Sequence, residues 1–178
     1  MMIGLKTTQL LSTGLLCFML IGCSGGKSSS SDTQSDGGEI TVKIVYHPNG
    51  NIMVESPHKN GLTHGIEKMY REDGTLMQTT PHINGTLDGV AKSYYKSGAL
   101  KSETSWRNGV TEGMMIYYYK DGTVKSESPY VNGTVEGIVK TYYPTGELLS
   151  EVPYVHTKPK GIGKQYFKDG RLKSEKVF

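Results

Sequence analysis

The sequence predicts an all-β protein: an elongated, single-layer antiparallel meander of about six 24-residue β-hairpin repeats. Three observations predict it. A unit recurs without insertion or deletion, with copies starting at Thr41, Gly65, Gly89, Gly113, Gly137 and Gly161. A fixed period over most of a chain makes the fold a repeat array. Short runs rich in Tyr and β-branched residues, such as 138–143, suit a pleated, half-buried surface. Turn residues separate those runs at constant offsets, and Gly recurs too often for a helix.

The chain opens on an export pattern. Lys6 supplies a positive start, and Leu10 to Ile21 is an apolar run too short to cross a bilayer as a helix. It ends in Leu20-Ile21-Gly22-Cys23. This resembles the lipobox of bacterial lipoproteins, in which the Cys is acylated and becomes the mature N-terminus. The resemblance implies a signal peptide over 1–22, lipidation at Cys23 and a protein exported and anchored to the membrane. Ser24 stands where inner-membrane retention would call for Asp, which implies the outer membrane where the cell has one. Cys17 leaves with the signal, so the mature chain keeps no free thiol for a disulfide or for catalysis. Residues 23–38 read as the lipidated Cys and a flexible Ser/Gly-rich tether, with a reach of roughly 20 Å.

The repeat domain covers 39–178. Each unit after the first, which starts on Thr41, begins on a Gly; the next residue is always aliphatic or Met: Val42, Ile66, Val90, Met114, Ile138 and Ile162. A Tyr then recurs at 46, 70, 94, 118, 142 and 166, and a Gly four positions on, as at Gly74, Gly122 and Gly146. Lys120-Asp121-Gly122 and its equivalents read as three-residue loops with a bulge. That loop sets the constant Tyr, such as Tyr70, opposite the aliphatic residue of the facing strand; Leu100 holds this place in its unit. Then come the Glu column, which includes Glu103 and Glu127 and departs at Thr79, and a ring column containing His58, His82, Trp106, Tyr130, Tyr154 and Phe178. Asn-Gly closes four units and turns the chain into the next. About twelve strands at ~4.8 Å spacing make a ribbon on the order of 50 Å long.

Charge excludes a function class. The formal net charge is +3, and the lysines are spread, with Lys68, Lys92, Lys140 and Lys164 in one column. Nucleic-acid binding usually shows a clustered basic face, so no nucleic-acid partner is expected. The Lys column reads as a solvated stripe whose stems cover the Tyr rings. Read more sharply, Tyr94, Tyr118 and Tyr142 with those lysines form a shallow platform for an anionic polymer. The Glu column is a ladder of equivalents, whereas catalysis needs one tuned site; each Glu reads as a partner for Lys or a turn amide. His58 and His82 replace aromatic rings. They and His64 have no metal-ligand spacing, so no metal, cofactor or catalytic residue is expected. Met114, Met115, Ile116 and Tyr117 form a sticky run before Tyr118, and a partner contact is expected over 114–119.

The pattern G-x-x-x-x-Y-[YF]-x-x-G-x-L-x-x-E-x-x-[YW]-x-N-G resembles the variant MORN repeat of the YwqK family, often labelled antitoxin. The resemblance spans six copies over 41–178 and implies a β-hairpin array that contacts proteins or lipids, not an enzyme. A weaker resemblance is to choline-binding cell-wall repeats, which are rich in Trp; this chain has only Trp106. The function expected is a non-catalytic, lipid-anchored interaction scaffold of the cell envelope with a protein or envelope-glycan partner. Two alternatives stand beside it: a glycan or lipopolysaccharide binding module, and an immunity or antitoxin-type lipoprotein.

Overall fold

The computed structural model describes residues 38–178. The expected signal segment, the expected lipidation site at Cys23 and the expected tether up to residue 37 lie outside the described residues. The strands in chain order are β1 (Ile40–Tyr46), β2 (Ile52–Lys59), β3 (Leu62–Thr63), β4 (Gly65–Tyr70), β5 (Leu76–Ile83), β6 (Thr86–Leu87), β7 (Gly89–Tyr94) and β8 (Leu100–Arg107). They continue as β9 (Val110–Tyr118), β10 (Val124–Val131), β11 (Thr134–Val135), β12 (Gly137–Tyr142), β13 (Leu148–Val155), β14 (Lys158–Pro159), β15 (Ile162–Tyr166) and β16 (Leu172–Val177). All belong to one open antiparallel sheet. Its main path runs through twelve strands, β1-β2-β4-β5-β7-β8-β9-β10-β12-β13-β15-β16, in sequence order. The two-residue strands β3, β6, β11 and β14 fold back on the strand before them.

The turns follow from their residues. In the β4–β5 hairpin, Arg71 N donates to Thr75 O at 2.9 Å and Gly74 N to Arg71 O at 2.8 Å, which closes a three-residue loop. Asp73 Oδ1 accepts from Thr75 N at 3.0 Å and holds the tip. The register shifts between Met69 and Tyr70, the expected bulge, and sets Tyr70 opposite Leu76. Tyr94 and Leu100, and Tyr142 and Leu148, repeat that pairing. At the other end, Asn60, Asn84, Asn108 and Asn132 have φ of 48–52°, and each following Gly is also positive. Two positive φ values make a type I′ turn, whose twist matches its strands. In the fifth unit His156 and Thr157 hold the same geometry with φ of 51° and 63°. These turns stack: Gly85 N donates to Thr63 O, Gly109 N to Leu87 O, and Gly133 N to Thr111 O, at 2.7–2.9 Å.

The junction between hairpins is built by proline. Pro57, Pro81, Pro129 and Pro153 lack an N–H, and each carbonyl accepts from the residue before the next unit's Gly, as Glu136 N to Pro129 O at 3.1 Å. The chain then kinks at that Gly and lets the ring settle over it. Ser105 stands at the proline position of the third unit. There the short and long segments run together as the nine-residue β9.

The sheet has no thick core. Among the described residues, Val135 is the buried apolar side chain and Ser56 and Thr80 are the buried polar ones. Cohesion therefore comes from the strand ladder and from side chains that link one unit to the next, as expected for a quasi-one-dimensional array.

Candidate functional site

The register places one residue from every long strand in a single transverse row. It runs Ile44, Glu55, Lys68, Thr79, Lys92, Glu103, Ile116, Glu127, Lys140, Glu151, Lys164, Glu175, each the Cα partner of the next. Strand alternation puts the constant Tyr on the same face. Its hydroxyl reaches back across the unit boundary to the preceding Glu. Tyr70 donates to Glu55, Tyr118 to Glu103, Tyr142 to Glu127 and Tyr166 to Glu151, at 2.6–2.9 Å. Lys68 pairs with Glu55 at 3.5 Å, Lys92 with Glu103 at 3.1 Å and Lys164 with Glu151 at 3.9 Å.

The electrostatics follow from these contacts. Burial first, then the Glu103 hydrogen bond, pushes the Tyr118 phenol up to about 12. Tyr142 also rises to about 12, through burial and Glu127. Tyr70 is raised by burial and Glu55, and Tyr166 mainly by its bond to Glu151. Glu103 is lowered, chiefly by the Tyr118 hydroxyl and next by Lys92. A phenol raised in the folded state stabilises the fold below its unfolded value of about 10. That contribution is lost as pH rises through the folded value. The melting temperature should therefore fall between about pH 10 and 12, and the fall should be smaller in Tyr118→Phe. A fall of equal size in both proteins would remove this link from the alkaline transition.

The predicted surface residues divide between the two faces. Tyr94, Ile116, Tyr118 and Tyr142 lie on the face of the charged row, whereas Met115 points to the other. Met115 is opposite Thr104 and Ser128, and Ile116 is opposite Glu103 and Glu127. The run at 114–117 is thus not one patch, because successive side chains of a strand point to opposite sides. Ile116 holds the lysine position of its unit.

The lysines also differ from the expected stripe over the Tyr rings. Three of the four row lysines lie on the Glu carboxylates. The cations near tyrosine rings are instead Lys125 at Tyr119 and Lys168 at Tyr143, 5.8 and 5.5 Å from the centroids. Pairing of Tyr hydroxyls and ammonium groups to Glu reduces the net charge on which an anionic-polymer platform relies. These histidines lie against polar partners: His64 Nδ1 is 3.2 Å from Asn84 Oδ1 and His58 Nδ1 3.4 Å from Gly61 O at turns, and His82 Nδ1 is 3.1 Å from Thr80 O within β5.

Two features escaped sequence reasoning. The residue after the constant Tyr donates to the backbone of the next unit. Tyr95 donates to Tyr118 O, Tyr119 to Tyr142 O and Tyr143 to Tyr166 O, at 2.7–2.9 Å. His47 and Arg71 make the equivalent contacts in the first two units. The second feature is an apolar stripe. Every aliphatic residue at the second position of a unit is exposed, from 38 % at Met114 to 58 % at Val42. Val42 is opposite Pro57, Ile66 opposite Pro81, Met114 opposite Pro129 and Ile138 opposite Pro153. By alternation the stripe shares the face of the charged row and runs beside it. The signal was present in the sequence as an unbroken aliphatic column; a column in a one-layer sheet does not reveal its own exposure.

Residues 42–60, 63–84, 87–108, 111–132 and 135–156 match the family model described as the MORN repeat variant, more than half of the chain. No curated protein matches the chain.

Proposed function

The chain belongs to the MORN repeat variant family, and on that premise we propose that it is a non-catalytic, lipid-anchored scaffold of the cell envelope that binds a protein partner. MORN repeats are generally binding and scaffold modules, and the family is typically non-catalytic. The finer assignment, a YwqK-type lipoprotein held through acylated Cys23 at the outer membrane, draws on the lipobox pattern in residues 20–23.

The observation that carries the binding role is the exposed stripe of Val42, Ile66, Val90, Met114, Ile138 and Ile162 beside a charged row. A contiguous apolar surface with a polar border marks an interaction site. Its repeated spacing suits a partner that lies along the sheet and touches several units at once. Such contact gains from multivalency, since each further unit engages at high effective concentration.

The test is capture from the native envelope with the full-length protein. Ile66→Lys together with Ile138→Lys should lower recovery of the partner at least about tenfold. Met115→Lys, on the opposite face, should leave it unchanged. The reverse pattern would transfer the binding role to the other face. Capture of glycan alone would reject the protein-scaffold reading.

A further inference from the structure

From the one break in the Glu column we infer that the gap at Thr79 is a binding site for a carboxylate group. At four unit boundaries a Tyr hydroxyl donates to the Glu of the preceding unit, at 2.6–2.9 Å. At the boundary between the second and third units the Glu position holds Thr79. The Tyr94 hydroxyl, in the equivalent place, meets no acceptor among the described residues. The same substitution leaves Thr79 flanked by two lysines, since its Cα partners on the neighbouring strands are Lys68 and Lys92. The row therefore reads Glu55, Lys68, gap, Lys92, Glu103.

The chemistry of the gap is defined by what surrounds it. An ammonium group has three donors. Lys68 uses one toward Glu55 and Lys92 one toward Glu103, and both side chains are less than half exposed, at 47 % and 42 %. Thr is shorter than Glu and ends in a hydroxyl, so the carboxylate found at the other boundaries is missing here. A planar carboxylate placed there would accept from the Tyr94 hydroxyl and lie between two cations, as Glu151 accepts from Tyr166 and pairs with Lys164. Charge-assisted hydrogen bonds of this kind are the strong ones. A free carboxylic acid and an acidic side chain of a partner share this chemistry. The site does not depend on the scaffold reading, since a simple anion tests it.

The experiment is a titration of the full-length protein in neutral detergent, followed by NMR of the Tyr94 ring and the Thr79 methyl group. The probes are acetate, N-acetyl-glutamate amide and its glutamine counterpart, at constant ionic strength. Acetate and the glutamate compound should give saturable shifts at both residues, and the glutamine compound none. Tighter binding of the glutamate compound would assign the ligand to a partner's side chain, and tighter binding of acetate to a free acid; both support the site. Thr79→Glu fills the gap and should weaken binding at least about tenfold, while Tyr94→Phe should weaken it about three- to tenfold. Absence of a saturable acetate shift, or equal binding by Thr79→Glu, would overturn the inference.

Discussion

Gly137→Ala is expected to destabilise the sheet by about 3 kcal/mol, well beyond the cost of Gly122→Ala. Gly137 has φ of 110°, and a Cβ added there would lie 3.1 Å from Pro129 Cγ. Both the backbone and the packing then oppose a side chain. A φ this far from the left-handed well is reached at low cost by glycine alone. The proline ring cannot retreat easily, because its carbonyl is tied to Glu136 N across the junction. Gly122 has φ of 91° with nothing within 4 Å of an added Cβ. Its substitution should cost about 1 kcal/mol, from backbone strain alone. Urea unfolding of the two variants at unchanged m-value measures the difference. Equal losses would mean that the proline contact contributes nothing.

Removal of one rung between units should cost nearly as much. Glu127→Ala is expected to destabilise by about 2 kcal/mol. It leaves the half-buried Tyr142 hydroxyl without its 2.8 Å acceptor and removes the carboxylate opposite Lys140. The Tyr142–Glu127 contact joins two hairpins, so its loss weakens an interface and not only a strand. In a one-dimensional array that interface energy sets the cooperativity between units. A double-mutant cycle with Tyr142→Phe should return a coupling of about 1–2 kcal/mol. Additive losses would show that the hydroxyl and carboxylate act independently. Tyr94→Phe, at the junction with Thr79, should cost far less than Tyr142→Phe, since its hydroxyl has no carboxylate to lose.

Much of the architecture was legible because the repeat is strict. Tyr opposite Leu within a hairpin, the bulged three-residue loop at Asp73-Gly74 and the Asn-Gly turn all rest on local backbone rules. Each needs only a few neighbouring residues to specify it. The twelve-strand path followed from counting units. The sequence predicts for the Glu column a partner in Lys or in a turn amide. Lysine is such a partner at Glu55, Glu103 and Glu151, but the Tyr hydroxyl of the following unit was not foreseen. That contact depends on the stagger between hairpins, and it forms also at the boundary where Ser105 replaces proline. The run at 114–117 is continuous in sequence, but the pleat divides its side chains between the two faces.

The sequence by itself determined the period, the turn types, the order of strands and the absence of a thick core. Its local periodicity left one economical way to pair each strand, and that is with the next. The tertiary structure decided which columns share a face, which polar groups are used to bind one unit to another, and which apolar column stays in solvent. These depend on distances between residues a unit apart, as in Tyr142 to Glu127 or Tyr119 to Tyr142 O. Such distances are set by how far one hairpin is shifted against its neighbour, and a repeat pattern is the same for every such shift.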